Sequence, residues 1–313
     1  MTWLFVGPSL LSGIGQVTRT YCELLGGEYC EYYNKCQRDA YDNCFAFILP
    51  VAQQLEMLEE KLKICKNHFF MTVCETEPVN PSYKLIEEYK PMYVPSNFAK
   101  NILEKQFPSM ECKILRHYVP IPRALAPPAK TEPYVFYTIG NILDPRKNIQ
   151  GLLRAFAYCN FENARLVLKA TCNKAVTVNQ KNVTVINGLL PQDQLEKIHN
   201  GCHCYINCSH SEGVGMGAVE AAMRDKPIII TDYGGLKEYV KTPYVINCER
   251  GPCGITDFLF TPDLNWGHPN LQDLVSHMRD CYERGITTMD HSHTRELIGK
   301  VPSDLQLLPS IET

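Results

Sequence analysis

Between residues 134 and 231, short apolar runs alternate with amphipathic stretches, and this alternation points to a parallel-sheet α/β domain. The pattern predicts strands at 134–139, 165–170, 183–186, 204–208 and 227–231. Helices are predicted at 148–158, 191–200 and 217–224. Parallel strands need a crossover long enough to hold a helix, and the spacing supplies one at most steps. Runs such as YVFYTI and PIIIT are apolar on both alternating faces, as expected of strands covered on both sides. In such doubly wound sheets, ligands gather at the carboxyl ends of the strands.

The earlier part of the chain reads similarly. Residues 2–6 form a buried strand, PSLLSGIG a loop and residues 16–25 a helix; further strands fall at 45–50, 68–73 and 91–95. Ser96 is placed to cap a helix over 97–106. Four prolines, Pro122, Pro127, Pro128 and Pro133, leave little room for regular structure and mark a linker near 124–133. With 313 residues the chain has room for two cores. The expected division is 1–128 and 129–289, with the tail 290–313 packing back on the first domain. Beyond residue 255 the pattern carries little except a helix at 271–284.

Composition removes several function classes. A net charge of −3 gives no basic surface for a nucleic-acid backbone. No apolar run approaches the roughly 20 residues of a membrane span, which leaves peripheral membrane contact open. The opening MTWLFVGPSLL lacks a basic n-region and is broken by Gly7 and Pro8, unlike a secretory leader. Fifteen cysteines without a leader suggest buried thiols in a reducing compartment, so a cytoplasmic location is expected. The sequons at Asn182 and Asn207 then carry no glycan.

The chemistry concentrates in SHSEGVGMGAVEAAMRDKPIIITDYGG, residues 209–235. A strand runs into a loop with glycines at 213, 215 and 217, and a helix follows directly. Glycines at such a turn let the backbone approach a ligand closely, and free N–H groups at the helix start suit a diphosphate. Glu212 and Glu220 bracket the loop. Carboxylates beside a phosphate site have neutral hydroxyls as natural partners, and a ribose and a hexose supply these on either side of a diphosphate. His199, Cys202, His203, Cys204, Cys208 and His210 resemble metal ligands in composition. However, Cys204 and Cys208 alternate along one strand face, as small buried hydrophobes do.

This stretch resembles the donor-binding motif of the retaining GT-B glycosyltransferases of group 1, the glycogen synthase and mannosyltransferase type. Ser209, Glu212, Gly213, Gly215, Glu220, Ala221, Ala222 and Pro227 stand at the motif positions, followed by Ile228 to Ile230. Asp225 replaces a usual glycine at the helix end. TIGNILDPRKNIQGLLRAF resembles the family segment whose basic residues hold the diphosphate. Lys147 falls on the phosphate lysine with Arg146 beside it, while Asn141 stands where an arginine is usual. Lys169 closes a strand that often ends near the site. Asn187 and Leu190 lie where backbone groups meet the base. In the first domain, Gly13 and Gly15 match a glycine-rich loop, and Glu75 in TVCETEP matches a loop that faces the donor sugar.

The resemblance implies two facing Rossmann-like domains with the active site in the interdomain cleft. It implies transfer of a hexose from a GDP- or UDP-sugar, with retention and without metal or other cofactor, to a glycan, lipid-linked or protein-linked hydroxyl. Glu212, Lys147 and Glu75 are the implied catalytic residues. The implied donor-binding set is Gly13, Gly15, Arg146, Lys147, Lys169, Asn187, Leu190, Glu212, Gly213, Val214, Gly215, Met216, Gly217 and Glu220. A catalytically weak nucleotide-sugar-binding relative and another GT-B enzyme such as an epimerase stand as alternatives.

Overall fold

The structure, a computed structural model, describes residues 1–120, 132–172 and 174–308. The expected linker at 124–133 therefore lies almost wholly outside the described residues. The chain divides into two compact units, one of Met1–Val119, Pro252–Asn265 and Glu296–Thr313, the other of Pro120–Gly251 and Trp266–Arg295.

In the first unit the elements are β1 (Trp3–Gly7), α1 (Gly13–Leu25), β2 (Glu28–Glu31), β3 (Tyr41–Phe47), α2 (Ala52–Leu62), β4 (Cys65–Met71), β5 (Met92–Val94), α3 (Asn97–Gln106) and β6 (Cys112–Ile114). The strands form one sheet in the order β2-β1-β3-β4-β5-β6, with every pairing parallel. All five residues of β1 are buried, as two covered faces demand.

Two expectations differ from the structure. Helix α1 begins at Gly13 rather than at residue 16, because the Ser12 hydroxyl accepts the Gly15 N–H and caps the turn that was read as loop. Gly15 is required there for packing: a Cβ would lie 2.3 Å from the Ser9 carbonyl and 2.6 Å from that of Pro8. The strand expected at 45–50 runs from Tyr41 to Phe47. Its polar Asp42 and Asn43 hid the start; the Asp42 carboxylate accepts the Thr2 N–H at 2.8 Å, and Asn43 accepts from Asn67. By contrast α3 spans the expected residues, with Ser96 accepting the Ala99 N–H.

The second unit continues with β7 (Tyr134–Gly140), α4 (Ile149–Cys159), β8 (Ala164–Ala170), β9 (Val183–Ile186), α5 (Gln192–Gly201), β10 (Cys204–Asn207), α6 (Met216–Ala222), β11 (Ile228–Thr231), α7 (Leu236–Tyr239), β12 (Val245–Ile246), β13 (Cys248–Pro252), β14 (Asn265–Pro269) and α8 (Leu271–Glu283). Helices α9 (Ser292–Gly299) and α10 (Val301–Gln306) follow, and α10 packs against α1 within the first unit. The strand order is β12-β11-β10-β7-β8-β9, again with parallel pairings, and β13 pairs with β14 as a separate ribbon.

The consequence for function lies in that order. Chain order runs outward from β7 in one direction through β8 and β9, and from β10 in the other through β11 and β12. The loops leaving β7 and β10 therefore diverge at a topological switch point, where an open α/β sheet forms its ligand crevice. Those loops carry Arg146 and Lys147 on one side and Glu212 on the other.

Candidate active site

Local structure explains how the cations reach the switch point. After β7, the Asp144 carboxylate accepts the Arg146 N–H at 2.9 Å and caps a 3-10 turn over Pro145–Lys147. Asn148 then adopts a left-handed conformation with φ of 51°, and α4 begins at Ile149 instead of at 148. Arg146 and Lys147 thus sit on a separate turn ahead of the helix. The Asn148 amide donates to the Cys208 carbonyl at 3.2 Å, which ties this turn to the end of β10.

Glu212 is the hub. Its carboxylate is buried, with Lys147 Nζ at 2.6 Å from Oε1 and Arg146 Nη1 at 3.1 Å from Oε2. The Ser209 hydroxyl donates to Oε1 at 2.7 Å and the Asn207 amide at 3.2 Å. Arg146 also donates to the Ser211 carbonyl at 2.7 Å and pairs with Asp144 at 3.2 Å. Burial pushes the Glu212 carboxyl up, but the Lys147 and Arg146 charges and the hydrogen bonds from Lys147 and Ser209 outweigh it and hold the group down at about 2. Because the folded value lies below the ordinary carboxyl value, the stabilisation is complete above about pH 4.5 and is lost as pH falls toward 2. We expect the stability difference between the native chain and Glu212→Gln, read from urea unfolding, to shrink over that interval. A difference constant from pH 5 to pH 2.5 would refute the ion-pair account.

The Ser209 loop is fastened at several points. The His210 N–H donates to the Arg146 carbonyl at 2.8 Å, and its Nδ1 meets the Gly267 carbonyl at 2.9 Å. Its ring stacks on Trp266, with centroids 4.8 Å apart and planes 7° from parallel. The Gly235 N–H donates to the Glu212 carbonyl at 2.8 Å. A cavity lined by Gly140, Lys147, Asn207, Ser209 and Glu212 lies at the strand ends.

The glycines have distinct reasons to be glycine. Gly215 has a φ of 73°, a region that side chains resist. At Gly217 a Cβ would lie 2.3 Å from the Tyr205 hydroxyl, which donates to the Ile139 carbonyl at 3.2 Å. Gly217→Ala is therefore expected to cost about 1–3 kcal/mol by overpacking, measured by urea unfolding. An unchanged midpoint would contradict this packing. Gly213 and Val214 are buried beside them, and Met216 is partly exposed at the first turn of α6.

Glu220 lies on α6 and faces a buried histidine: its Oε2 is 3.6 Å from His199 Nε2, while His199 Nδ1 meets the Tyr137 hydroxyl at 2.8 Å. Lys169, also buried, donates to the Ala170 and Gly188 carbonyls at 2.5 Å each. It shapes the loop bearing Leu190 by its two carbonyl bonds, and burial pushes its ammonium down. Asn187 clasps Val176 through the backbone N–H at 2.8 Å and the carbonyl at 2.9 Å. Gly13, Gly15 and Glu75 belong to the first unit, with Glu75 half-buried after β4.

The structure thus gathers Arg146, Lys147 and Glu212 directly and sets Lys169 and Asn187 to hold the neighbouring loop. Sequence reasoning assigned no contact to Asp144, Asn207 or His199. For Asp144 a signal existed, since an acidic residue before Pro marks a capped turn. For His199 none did, because its partners come from β7 and α6. The His/Cys-rich run 199–210 brings no three ligand groups together among the described residues, and all fifteen cysteines are free. Asn207 is buried on Glu212, out of reach of a glycan.

Residues 126–247 match the family model described as glycosyl transferases group 1. The fold is shared with solved structures at low identity. A glycosyltransferase from Rickettsia africae is 14% identical with a TM-score of 0.66, over 99% of this chain and 97% of that one. Sucrose-phosphate synthase from Thermosynechococcus elongatus is 11% identical with a TM-score of 0.63, over 98% and 95%. An E. coli trehalose-6-phosphate protein bound with UDP-2-fluoro glucose is 9% identical with a TM-score of 0.66, over 99% and 98%. No curated protein sequence matches the chain. Among the described residues, no helix is long and apolar enough to cross a membrane.

Proposed function

We propose that this chain is a GT-B glycosyltransferase of group 1 that moves a hexose from a UDP- or GDP-sugar to a hydroxyl acceptor with retention of configuration, a reading supported by the family-model match over residues 126–247. The observation that carries this reading is the convergence of Arg146 and Lys147 on the buried Glu212 at the switch point of the second sheet. In the structure those two cations are paired with Glu212, and Arg146 also with Asp144. An incoming diphosphate offers them a stronger partner, and Glu212 is then released to accept hydrogen bonds from sugar hydroxyls. One carboxylate and one diphosphate therefore share two cations.

In the transfer step, the bond from the anomeric carbon to the diphosphate oxygen breaks and the oxygen leaves with the electron pair. The acceptor oxygen bonds on the same face, and its proton passes to the departing phosphate. Lys147 and Arg146 stabilise the growing negative charge, so the reaction is assigned no metal requirement. Glu220 takes the ribose hydroxyls, with His199 behind it. Backbone groups of Gly213, Val214, Gly215, Met216 and Gly217 face the sugar and diphosphate. The loop at Asn187 and Leu190, which Lys169 shapes, meets the base. Glu75 is assigned a catalytic role facing the donor sugar, and Gly13 and Gly15 are assigned to the donor; the acceptor hydroxyl comes from a glycan, lipid-linked or protein-linked molecule. A cytoplasmic location fits the thiol-rich composition.

The test is a thermal-shift series with UDP, GDP, ADP and their sugars, followed by slow donor hydrolysis and the anomeric configuration of the released sugar. A ligand that binds only the native state raises its melting temperature. Stabilisation by UDP or GDP and release of a retained sugar are expected; no response to any nucleotide would sink the reading. Asn141, where an arginine is usual, specifically favours the alternative of a weak binding relative, since its side chain is turned to the Leu143 N–H at 3.2 Å. Nucleotide stabilisation with no hydrolysis would select that alternative.

A further inference from the structure

A second constellation lies in the first unit. Glu28 and Cys30 are two residues apart on β2 and so project from the same face of the strand. The loop that follows returns Cys36 to them, and the ligand atoms of the three lie within 4.8 Å of one another. The two sulfurs are 3.8 Å apart. Two thiolates bound to one tetrahedral zinc at about 2.3 Å each are separated by about 3.8 Å. The spacing fits a metal and is far too long for a disulfide.

A neighbouring charge has no other account. Lys61, at the end of α2, is buried at 8% exposure, and its ammonium donates to the Asn34 carbonyl at 2.7 Å. The Cys30 thiol is also within 3.4 Å of that carbonyl. No carboxylate among the described residues forms an ion pair with Lys61. A buried cation without a counter-charge is costly. Zinc with two thiolates and one carboxylate carries a net −1, and Lys61 cancels it. The carboxylate is already held, since Glu28 accepts the Gln37 N–H at 2.7 Å and the Tyr41 hydroxyl, as metal-ligating carboxylates usually are.

We propose that Glu28, Cys30 and Cys36 bind a soft divalent cation such as Zn²⁺, which pins the edge strand β2 and the loop between β2 and β3. It is a structural site in the first unit, independent of the donor-site reading. Binding converts the two thiols to thiolates, and their protons pass to solvent.

The experiment titrates the chelator-stripped, reduced full chain with Zn²⁺ against a chromogenic chelator, and with Cd²⁺ followed by thiolate charge-transfer absorption. The native chain is expected to take one tight equivalent and to melt at higher temperature with it. The double variant Cys30→Ser, Cys36→Ser should lose that equivalent, while Cys172→Ser should keep it. Lys61→Met should weaken affinity by roughly 10-fold. Should the double variant not fold, Glu28→Gln serves the same purpose, since the isosteric change removes one ligand charge. Equal uptake by the native chain and the ligand variants would overturn the proposal. So would loss of uptake in Cys172→Ser, or a Cys30–Cys36 disulfide in place of uptake.

Discussion

Replacing Lys147 by alanine is expected to lower kcat for sugar transfer by roughly 100- to 1,000-fold, the loss typical of removing one group that stabilises developing charge. The stability cost should be smaller, about 1–3 kcal/mol. Glu212 keeps Arg146, Ser209 and Asn207 as partners, and the Lys147 ammonium stands 2.6 Å from only one of its two oxygens. Turnover measured by donor consumption and stability measured by urea unfolding should therefore separate clearly. A variant that retained half of the native kcat would remove Lys147 from the mechanism.

Glu212→Gln is expected to affect both quantities. A glutamine has the same shape, but it can turn an acceptor toward only one of the two cations and presents an N–H₂ to the other. Breaking a buried pair in this way costs about 3–5 kcal/mol. Transfer should fall with it, because the carboxylate proposed to orient the sugar is gone. The informative outcome concerns the nucleotide without its sugar. On the proposed reading, a diphosphate competes with Glu212 for Arg146 and Lys147 in the native chain and does not in the variant. UDP or GDP should therefore bind at least as tightly to Glu212→Gln as to the native chain while transfer is lost. Weaker nucleotide binding in the variant would show that the two cations do not serve the diphosphate.

The strands β7, β8, β10 and β11 are legible because buried parallel strands are written as apolar runs, the half-exposed β9 by its alternating VTVI, and α3 because Ser96 declares its start. β2 and α2 were not anticipated. β2 is four residues, EYCE, with no apolar alternation. Its strand character comes from pairing with β1, a partner distant in sequence. α2 buries Leu55, Leu58 and Leu62 on one face of an otherwise charged stretch. The residues 252–265 were read with the second domain but pack within the first unit, to which the chain crosses and from which it returns at Trp266. No local pattern marks such an excursion.

By itself, the sequence determined the fold class, the position of the glycine-rich loop proposed to bind the donor and the residue types that could hold a diphosphate and hydroxyls. These are local properties: strand periodicity, glycines at a strand-to-helix turn, and a carboxylate at each end of it. The tertiary structure decided how those groups are used against one another. Lys147 and Glu212 are 65 residues apart and meet only because β7 and β10 are neighbours in the sheet. The same holds for Lys169 on Gly188 and for His199 between Tyr137 and Glu220. Their effect depends on distance and burial, and both are set by strand order, which no short stretch of sequence encodes.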